Sequence, residues 1–285
     1  MFGLNKIIPV DSDYKLLNYR KNFYFLSIIA MILSLSLLLF KGLNFGIDFK
    51  GGTLIEVNTK DTNISELRDI LSPNFNEVSL QEFGDEQTII IRLQNENNQE
   101  SIETVNKVKQ LIDDKVSEFR RSEFVGPTVS SELLWKGFQA VSFALIAILI
   151  YIWLRFEWQF GFGAVVALTH DVLFTLGVLS ILNIEFSLST IAAVLTIAGY
   201  SINDTVVIFD RVRENLRKFK NIDLIEVFNM SINNTLSRTV MTSITTLLAL
   251  LSLYLFGGEV IKPFALTMII GVLVGTYSSI FIAVP

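Results

Sequence analysis

The chain has 285 residues, of which 51% are hydrophobic, and a mean hydropathy of +0.50. This composition is typical of membrane proteins. The absence of cysteine excludes disulfides and thiol chemistry, and a single histidine excludes a histidine-rich metal site. Although the formal net charge is −5, the charges are unevenly spread, and no basic surface suited to nucleic acid is present.

Long apolar runs predict about six membrane-spanning helices. The first follows a polar segment, 1–22, but it is longer than a usual signal core and no small-residue cleavage site follows it. We therefore interpret it as a retained span rather than a signal peptide. Because the last run ends in apolar sequence at Pro285, we expect the natural chain to continue beyond that residue. The predicted spans are 23–40, 133–154, 160–182, 188–210, 234–256 and 262–285.

A polar segment, 41–132, separates the first two spans and is long enough for a small domain. Alternating apolar residues predict strands at 53–58, 78–81 and 89–93, with a weaker strand at 119–125. Asn63 is a candidate N-cap for the first helix, with Glu66 as its capping-box partner. The second helix has a stripe formed by Ile102, Val105, Val108, Ile112 and Val116. The order β-α-β-β-α-β predicts an α+β, ferredoxin-like domain with both helices on one face.

Lysine and arginine fix the expected orientation. The polar segment 211–233 is basic and amphipathic, and it lies on the same side as the N-terminus. The opposite short loops carry essentially Lys262 alone. The positive-inside rule places the basic side in the cytoplasm, so 41–132 is expected to face outward. The basic residues are Lys6, Lys15, Arg20, Lys21, Arg155, Arg211, Arg213, Arg217, Lys218 and Lys220.

The fourth predicted span carries a carboxylate well inside its end. Asp204 lies seven residues before Arg211, about 10 Å along a helix that rises 1.5 Å per residue. A charge at that depth costs several kcal/mol unless it is paired, protonated or hydrated, so we interpret Asp204 as a functional residue. The alternative is a carboxylate that only reaches the headgroup layer. Asn203 precedes it and offers both a donor and an acceptor that could orient a carboxyl group or a water molecule.

Arg238 lies at the start of the fifth span, at a depth where it could meet Asp204. One interpretation is an anchor that reaches the phosphate layer. The other is an ion pair that holds Asp204 charged or releases it. A low dielectric favours the protonated carboxyl and a nearby guanidinium favours the ionised one, so a rearrangement that changes either would move a proton. Two helix packings could be coupled to a gradient in this way.

His170 and Asp171 are adjacent near the middle of the third span. Neighbouring residues point about 100° apart on a helix, so we expect one to face the core of this chain and the other a partner. A hydrogen bond from His170 to a serine or threonine is the alternative to a functional role. Gly199, Gly271 and Gly275 are predicted to let neighbouring helices approach closely. Asp210 is interpreted as marking the end of the fourth helix.

Several motifs, in this order along the chain, resemble the SecF family, the smaller half of the bacterial SecDF accessory translocase and a relative of the RND superfamily. The fold that this resemblance implies is the RND-type half of a membrane complex. The matching segments are Gly46–Gly52, Val125–Pro127, His170-Asp171, Gly199–Thr205 and Asp210–Asn215.

The resemblance implies a role in late protein export across the bacterial inner membrane, driven by the proton gradient, with protons as the coupling ion and no other cofactor. It places the proton pathway at Asp204 and Arg238. The implied partners are SecD, which would supply a second aspartate, the SecYEG channel, YajC and the exported unfolded polypeptide.

Three other classes of protein stay open. A small-molecule RND-type exporter would need a larger porter domain than 41–132. An intramembrane aspartyl protease would use Asp171 and Asp204, but Asp204 follows Ser-Ile-Asn rather than Gly-x-Gly, so we do not expect an enzyme. A purely structural assembly subunit would tolerate loss of the Asp204 carboxylate. No phosphate-binding loop is present, which favours a gradient over ATP as the energy source.

Overall fold

The computed structural model describes residues 13–60, 62–75, 78–83, 85–94, 101–258 and 260–284. They form two compact units. The second unit consists of Phe45–Ala140 and Glu185–Leu188, and the first contains the rest of the described chain. The longer helices are Arg20–Phe40 (α1), Ile64–Leu71 (α3), Ser101–Ile112 (α4), Pro127–Arg155 (α5), Trp158–Ile181 (α6), Leu188–Lys218 (α7), Leu224–Phe256 (α8) and Lys262–Phe281 (α9), with a short helix Ile47–Lys50 (α2). The strands are Asn44–Phe45 (β1), Gly52–Thr59 (β2), Val78–Phe83 (β3), Asp85–Leu93 (β4), Val116–Val125 (β5) and Glu185–Phe186 (β6).

In the described residues, six helices are long and apolar enough to cross a membrane, which confirms the predicted number. They differ in how much of their apolar stretch is buried inside the chain. The buried share is 50% for α6, 50% for α7 and 56% for α9, but 11% for α1, 11% for α5 and 17% for α8. Helices α6, α7 and α9 therefore form the interior of the helical unit, where a polar side chain is shielded by protein rather than lipid.

Two helices run well past the predicted spans. The segment 211–233 was expected to be a loop, but α7 continues to Lys218 and α8 begins at Leu224. Hydropathy marks only the stretch that suits lipid, whereas a helix continues wherever its side chains can pack. Here Val212 is fully buried, and Asn215 Nδ2 donates a hydrogen bond to Ser231 Oγ over 2.9 Å, which ties the two extensions together.

The second unit is built on a four-stranded sheet with the order β3-β4-β2-β5, and each adjacent pair is antiparallel. Successive residues of a strand point to opposite faces of a sheet. Ile55 and Ile91 accordingly face α3 and α4, whereas Leu54 and Ile90 face the other side. Asn63 Oδ1 accepts a hydrogen bond from the Glu66 N–H over 3.0 Å, which confirms the predicted N-cap of α3.

The predicted stripe of the second helix is wrong at both ends. Ile102 is 73% exposed, and Val116 lies in β5 rather than on α4. The helix ends at Ile112 because the chain turns through 113–115 into β5, which is longer than the weak strand that was predicted. At the start of β2, Gly51 and Gly52 have φ values of +73° and +111°. A Cβ atom at Gly52 would overlap the Leu93 carbonyl oxygen, so this entry into the sheet requires glycine.

Candidate proton site in the helical unit

Asp204 lies on the buried face of α7 and is 4% exposed. Its Oδ2 atom is buried and has no hydrogen-bond partner among the described residues. A buried polar atom without a partner costs about 1–3 kcal/mol, and more if it carries a charge. Such atoms are rare in native proteins and often mark sites where a proton, a water molecule or a partner completes the arrangement. The carboxyl group of Asp204 is therefore held away from bulk water, and one of its oxygens has no partner in the part of the chain that the structure describes.

Arg238 is on α8 and is exposed on the surface of this chain. It interacts electrostatically with Asp204, but these two residues form no direct ion pair within 4.0 Å. At this longer range the guanidinium favours the ionised carboxyl group only weakly, whereas a direct ion pair would hold the group in its ionised state. Arg238 therefore forms no salt bridge with Asp204 in this structure, and a functional pair between them stays a prediction.

Asn203 does not share the buried face of α7 with Asp204. It is exposed, on the side of α7 opposite to the buried face. Adjacent helical residues point about 100° apart, and only Asp204 turns inward. That Asn203 orients a carboxyl group or a water molecule stays a prediction. Asn203 and Arg238 are both accessible to a second chain.

A second carboxylate, Asp171 on α6, is fully buried and extensively hydrogen-bonded. Its Oδ2 atom accepts hydrogen bonds from Ser201 Oγ on α7 over 2.5 Å and from Ser278 Oγ on α9 over 2.6 Å. Its Oδ1 atom lies 3.0 Å from His170 Nδ1. Both oxygens are therefore engaged, and one side chain connects all three interior helices.

The expectation that one of His170 and Asp171 faces the core of this chain and the other a partner is wrong. Both are buried, at 2% and 0% exposed, and their side chains contact each other. Burial of both is possible because α6 packs against α1 and α9 and is bonded to α7, so more than one side of it faces protein. The centroid of the His170 ring is 6.0 Å from that of Phe174 and 6.0 Å from that of Tyr277.

Close approach of α7 and α9 brings the two serines to Asp171. A Cβ atom at Gly271 would overlap Ile197, and one at Gly275 would lie 3.2 Å from the Ser201 Cβ. These glycines therefore allow the two helices to pack closely, as predicted for small residues in membrane helices. Gly199 makes no such close approach in the described chain. A Cβ atom there would meet nothing within 4 Å, because its side of α7 is exposed.

Sequence reasoning missed the roles of Ser201, Ser278 and Asp210. A buried carboxylate needs donors, and hydroxyls on neighbouring spans are the usual source, but no sequence rule pairs Ser201 with Asp171 across 30 positions.

Asp210 does not mark a helix end. Its two oxygens accept hydrogen bonds from Arg155 Nη2 over 2.9 and 2.8 Å, and α7 continues eight residues beyond it. Among the described residues, no group of three or more His, Cys, Asp or Glu residues could hold a metal ion.

The six spans, the small α+β unit and the carboxylates on interior helices define a polytopic membrane protein of the transport type. The chain belongs to the SecD/SecF family of protein export membrane proteins. Residues 104–285 match the C-terminal region of that family, and residues 36–62 match its GG motif.

Named relatives and solved structures agree with this assignment. The protein translocase subunit SecF of Rickettsia rickettsii is 45% identical over 98% of this chain and 92% of its own length, and that of Rickettsia bellii is 45% identical over 98% and 94%. The crystal structure of SecDF, a translocon-associated membrane protein from Thermus thermophilus, matches with a TM-score of 0.88 at 36% identity. This chain covers 38% of that SecDF chain, and 96% of this chain is matched.

Proposed function

We propose that this chain is the SecF-type subunit of a protein-export complex, and that it couples the proton gradient to late steps of translocation through Asp204. The observation that carries the proposal is the Asp204 carboxyl group, which is 4% exposed, has an unpartnered oxygen and lies within electrostatic range of Arg238. Family membership supports the export role, and no hydrolytic or redox chemistry is part of the proposal.

The coupling follows from the two charge states of Asp204. When the carboxyl group is ionised, it attracts Arg238 and favours close packing of α7 against α8. When it takes up a proton, that attraction is lost and the packing can change. One elementary charge that falls through 100 mV supplies about 2.3 kcal/mol, which is enough to bias such an equilibrium. Asp171, whose oxygens are already engaged, would keep α6, α7 and α9 together while this happens.

The proposed assembly includes SecD. Asn203 and Arg238 are exposed on the surface of this chain, which supports a site that a second chain completes with its own carboxylate. We place the complex in the bacterial inner membrane beside SecYEG, with YajC as a further partner and the unfolded exported polypeptide as the substrate. The basic ends of α5 and α7 would lie in the cytoplasm, and the α+β unit would lie on the outer side.

Export into inverted membrane vesicles that contain SecD tests the proposal, with the proton gradient imposed or collapsed. We expect Asp204→Asn and Arg238→Ala to lose the gradient-dependent part of export while the complex still assembles. Asn234→Ala on α8 is a matched control, because Asn234 is also exposed but lies one turn from Arg238. If both variants export as the wild type does, the chain is a scaffold. If a small molecule rather than a polypeptide is exported, the RND-type exporter is correct.

A further inference from the structure

A basic groove that the proton site does not use lies beside the turn between α5 and α6, where Arg155 at the end of α5 faces the C-terminal part of α7. The groove has a volume of about 470 Å³ and is lined by Arg155, Asp210, Arg213, Glu214, Arg217 and Lys218. Four of these side chains are basic and two are acidic, which leaves a net charge of +2. A concave site of this size and charge suits a small anion with several oxygens.

Several N–H donors in this groove form no hydrogen bond with neighbouring residues of the described chain. Arg155 hydrogen-bonds to Asp210 through Nη2 and lies over the Phe156 ring at 5.1 Å, and its Nε and Nη1 groups form no hydrogen bond with the residues that the structure describes. Arg217 forms no hydrogen bond or ion pair in the described part of the chain, and it is exposed. The guanidinium of Arg213 lies over the Phe156 ring at 5.6 Å and is 3.7 Å from Asp210. The Asp210 carboxylate thus holds the guanidinium groups of Arg155 and Arg213 in place beside that of Arg217.

An apolar groove of about 340 Å³ lies between α5 and α6 next to this turn, lined by residues that include Ile152, Trp153, Gly161 and Val165. Ile152 is three residues before Arg155 on the same helix, so both lie on one face of α5. The exposed Trp153 and Trp158, at 76% and 72%, flank the turn as side chains do at the membrane surface. The two grooves share no lining residue, but they lie within one helical turn of each other along α5, a spacing that suits the acyl chain and the phosphate of one phospholipid.

We propose that this turn binds an anionic phospholipid, with the phosphate on Arg155 and Arg217 and an acyl chain in the groove between α5 and α6. The proposal rests on the membrane location of this chain and not on proton coupling, so each can fail alone. A free phosphate ion would share the headgroup chemistry but would make no use of the apolar groove.

Native mass spectrometry of the complex with SecD in detergent tests the lipid site, with phosphatidylglycerol and phosphatidylcholine as the probes. We expect phosphatidylglycerol to bind more tightly. Arg217→Gln should weaken that binding about five-fold, since one basic side chain at a membrane surface has that effect. Lys220→Gln is the matched control, because it removes an exposed positive charge beyond the groove.

The apolar half is tested by Val165→Trp, which fills the groove and should weaken the binding of both lipids. Excess inorganic phosphate should not displace phosphatidylglycerol. Equal binding of the two lipids, or an equal loss with Lys220→Gln, would overturn the headgroup site. Displacement by inorganic phosphate together with no effect of Val165→Trp would show a site for a soluble anion instead of a lipid.

Discussion

Removal of the Asp171 side chain is expected to destabilise the helical unit more than loss of either serine that binds it. Asp171→Ala leaves Ser201 Oγ without a partner, whereas Ser278 Oγ also lies 3.1 Å from the Gly275 carbonyl oxygen and can bond there instead. Hydrogen bonds between membrane helices average about 0.6 kcal/mol with a maximum near 1.7, and hydrogen bonds to charged groups reach about 1.5–3 kcal/mol.

For a fully buried carboxylate the upper part of the membrane range applies, so we expect about 1–2 kcal/mol for Ser201→Ala and less for Ser278→Ala. Asp171→Ala should cost about 3 kcal/mol, since it removes both hydroxyl contacts and the His170 contact. The assay is reversible unfolding in mixed detergent micelles, followed by circular dichroism. Thr196→Ala is the matched control on α7, because Thr196 Oγ1 bonds only the Ala192 carbonyl of its own helix.

A double-mutant cycle between Asp171 and Ser201 separates their interaction from the cost of truncation. We expect a coupling energy of at least about 0.5 kcal/mol for contacting residues. If the two changes are simply additive, or if Asp171→Ala unfolds with the wild-type free energy, Asp171 does not connect the interior helices and the reasoning is refuted.

Three further predictions concern packing and the α+β unit. Gly271→Leu should prevent close packing of α7 and α9 and lower the yield of folded protein on size-exclusion chromatography, whereas Gly199→Ala should be tolerated; equal yields would contradict the assigned contact. Arg92→Ala should destabilise the α+β unit by about 1.5 kcal/mol, because it removes the charge-assisted hydrogen bond to the half-buried Glu185 carboxylate, and hydrogen exchange of β4 would report it. Unchanged protection would show that this ion pair is dispensable. Asn63→Ala should cost about 1 kcal/mol through loss of the α3 cap, and unchanged exchange at Glu66 would contradict it.

Local signals predicted much of the fold because they depend on neighbours in sequence. Apolar runs gave the six spans, and the Asn63–Glu66 spacing gave a cap that the structure contains. The ends of α4, α7 and α8 were missed for a common reason. Where a helix stops depends on what its side chains meet in space, such as the Asn215–Ser231 hydrogen bond between two extensions.

The candidate site was predictable in part. The depth of Asp204 in an apolar run indicates burial, and the structure buries it. Which side of a helix faces protein is set by tertiary packing, so the sequence did not indicate that Asn203 and Gly199 lie on the exposed side of α7. The partners of Asp171 lie 30 and 107 positions away, and no spacing rule reaches that far.

Infrared difference spectroscopy of the complex with SecD tests the central claim most directly, because a protonated carboxyl group has its own C=O stretching band. When the external pH is stepped or a proton gradient is imposed, we expect a carboxyl band that disappears with Asp204→Asn and persists with Asp171→Asn. If the band persists with Asp204→Asn, or if no carboxyl group changes its protonation, Asp204 does not carry the coupling proton and the account is wrong.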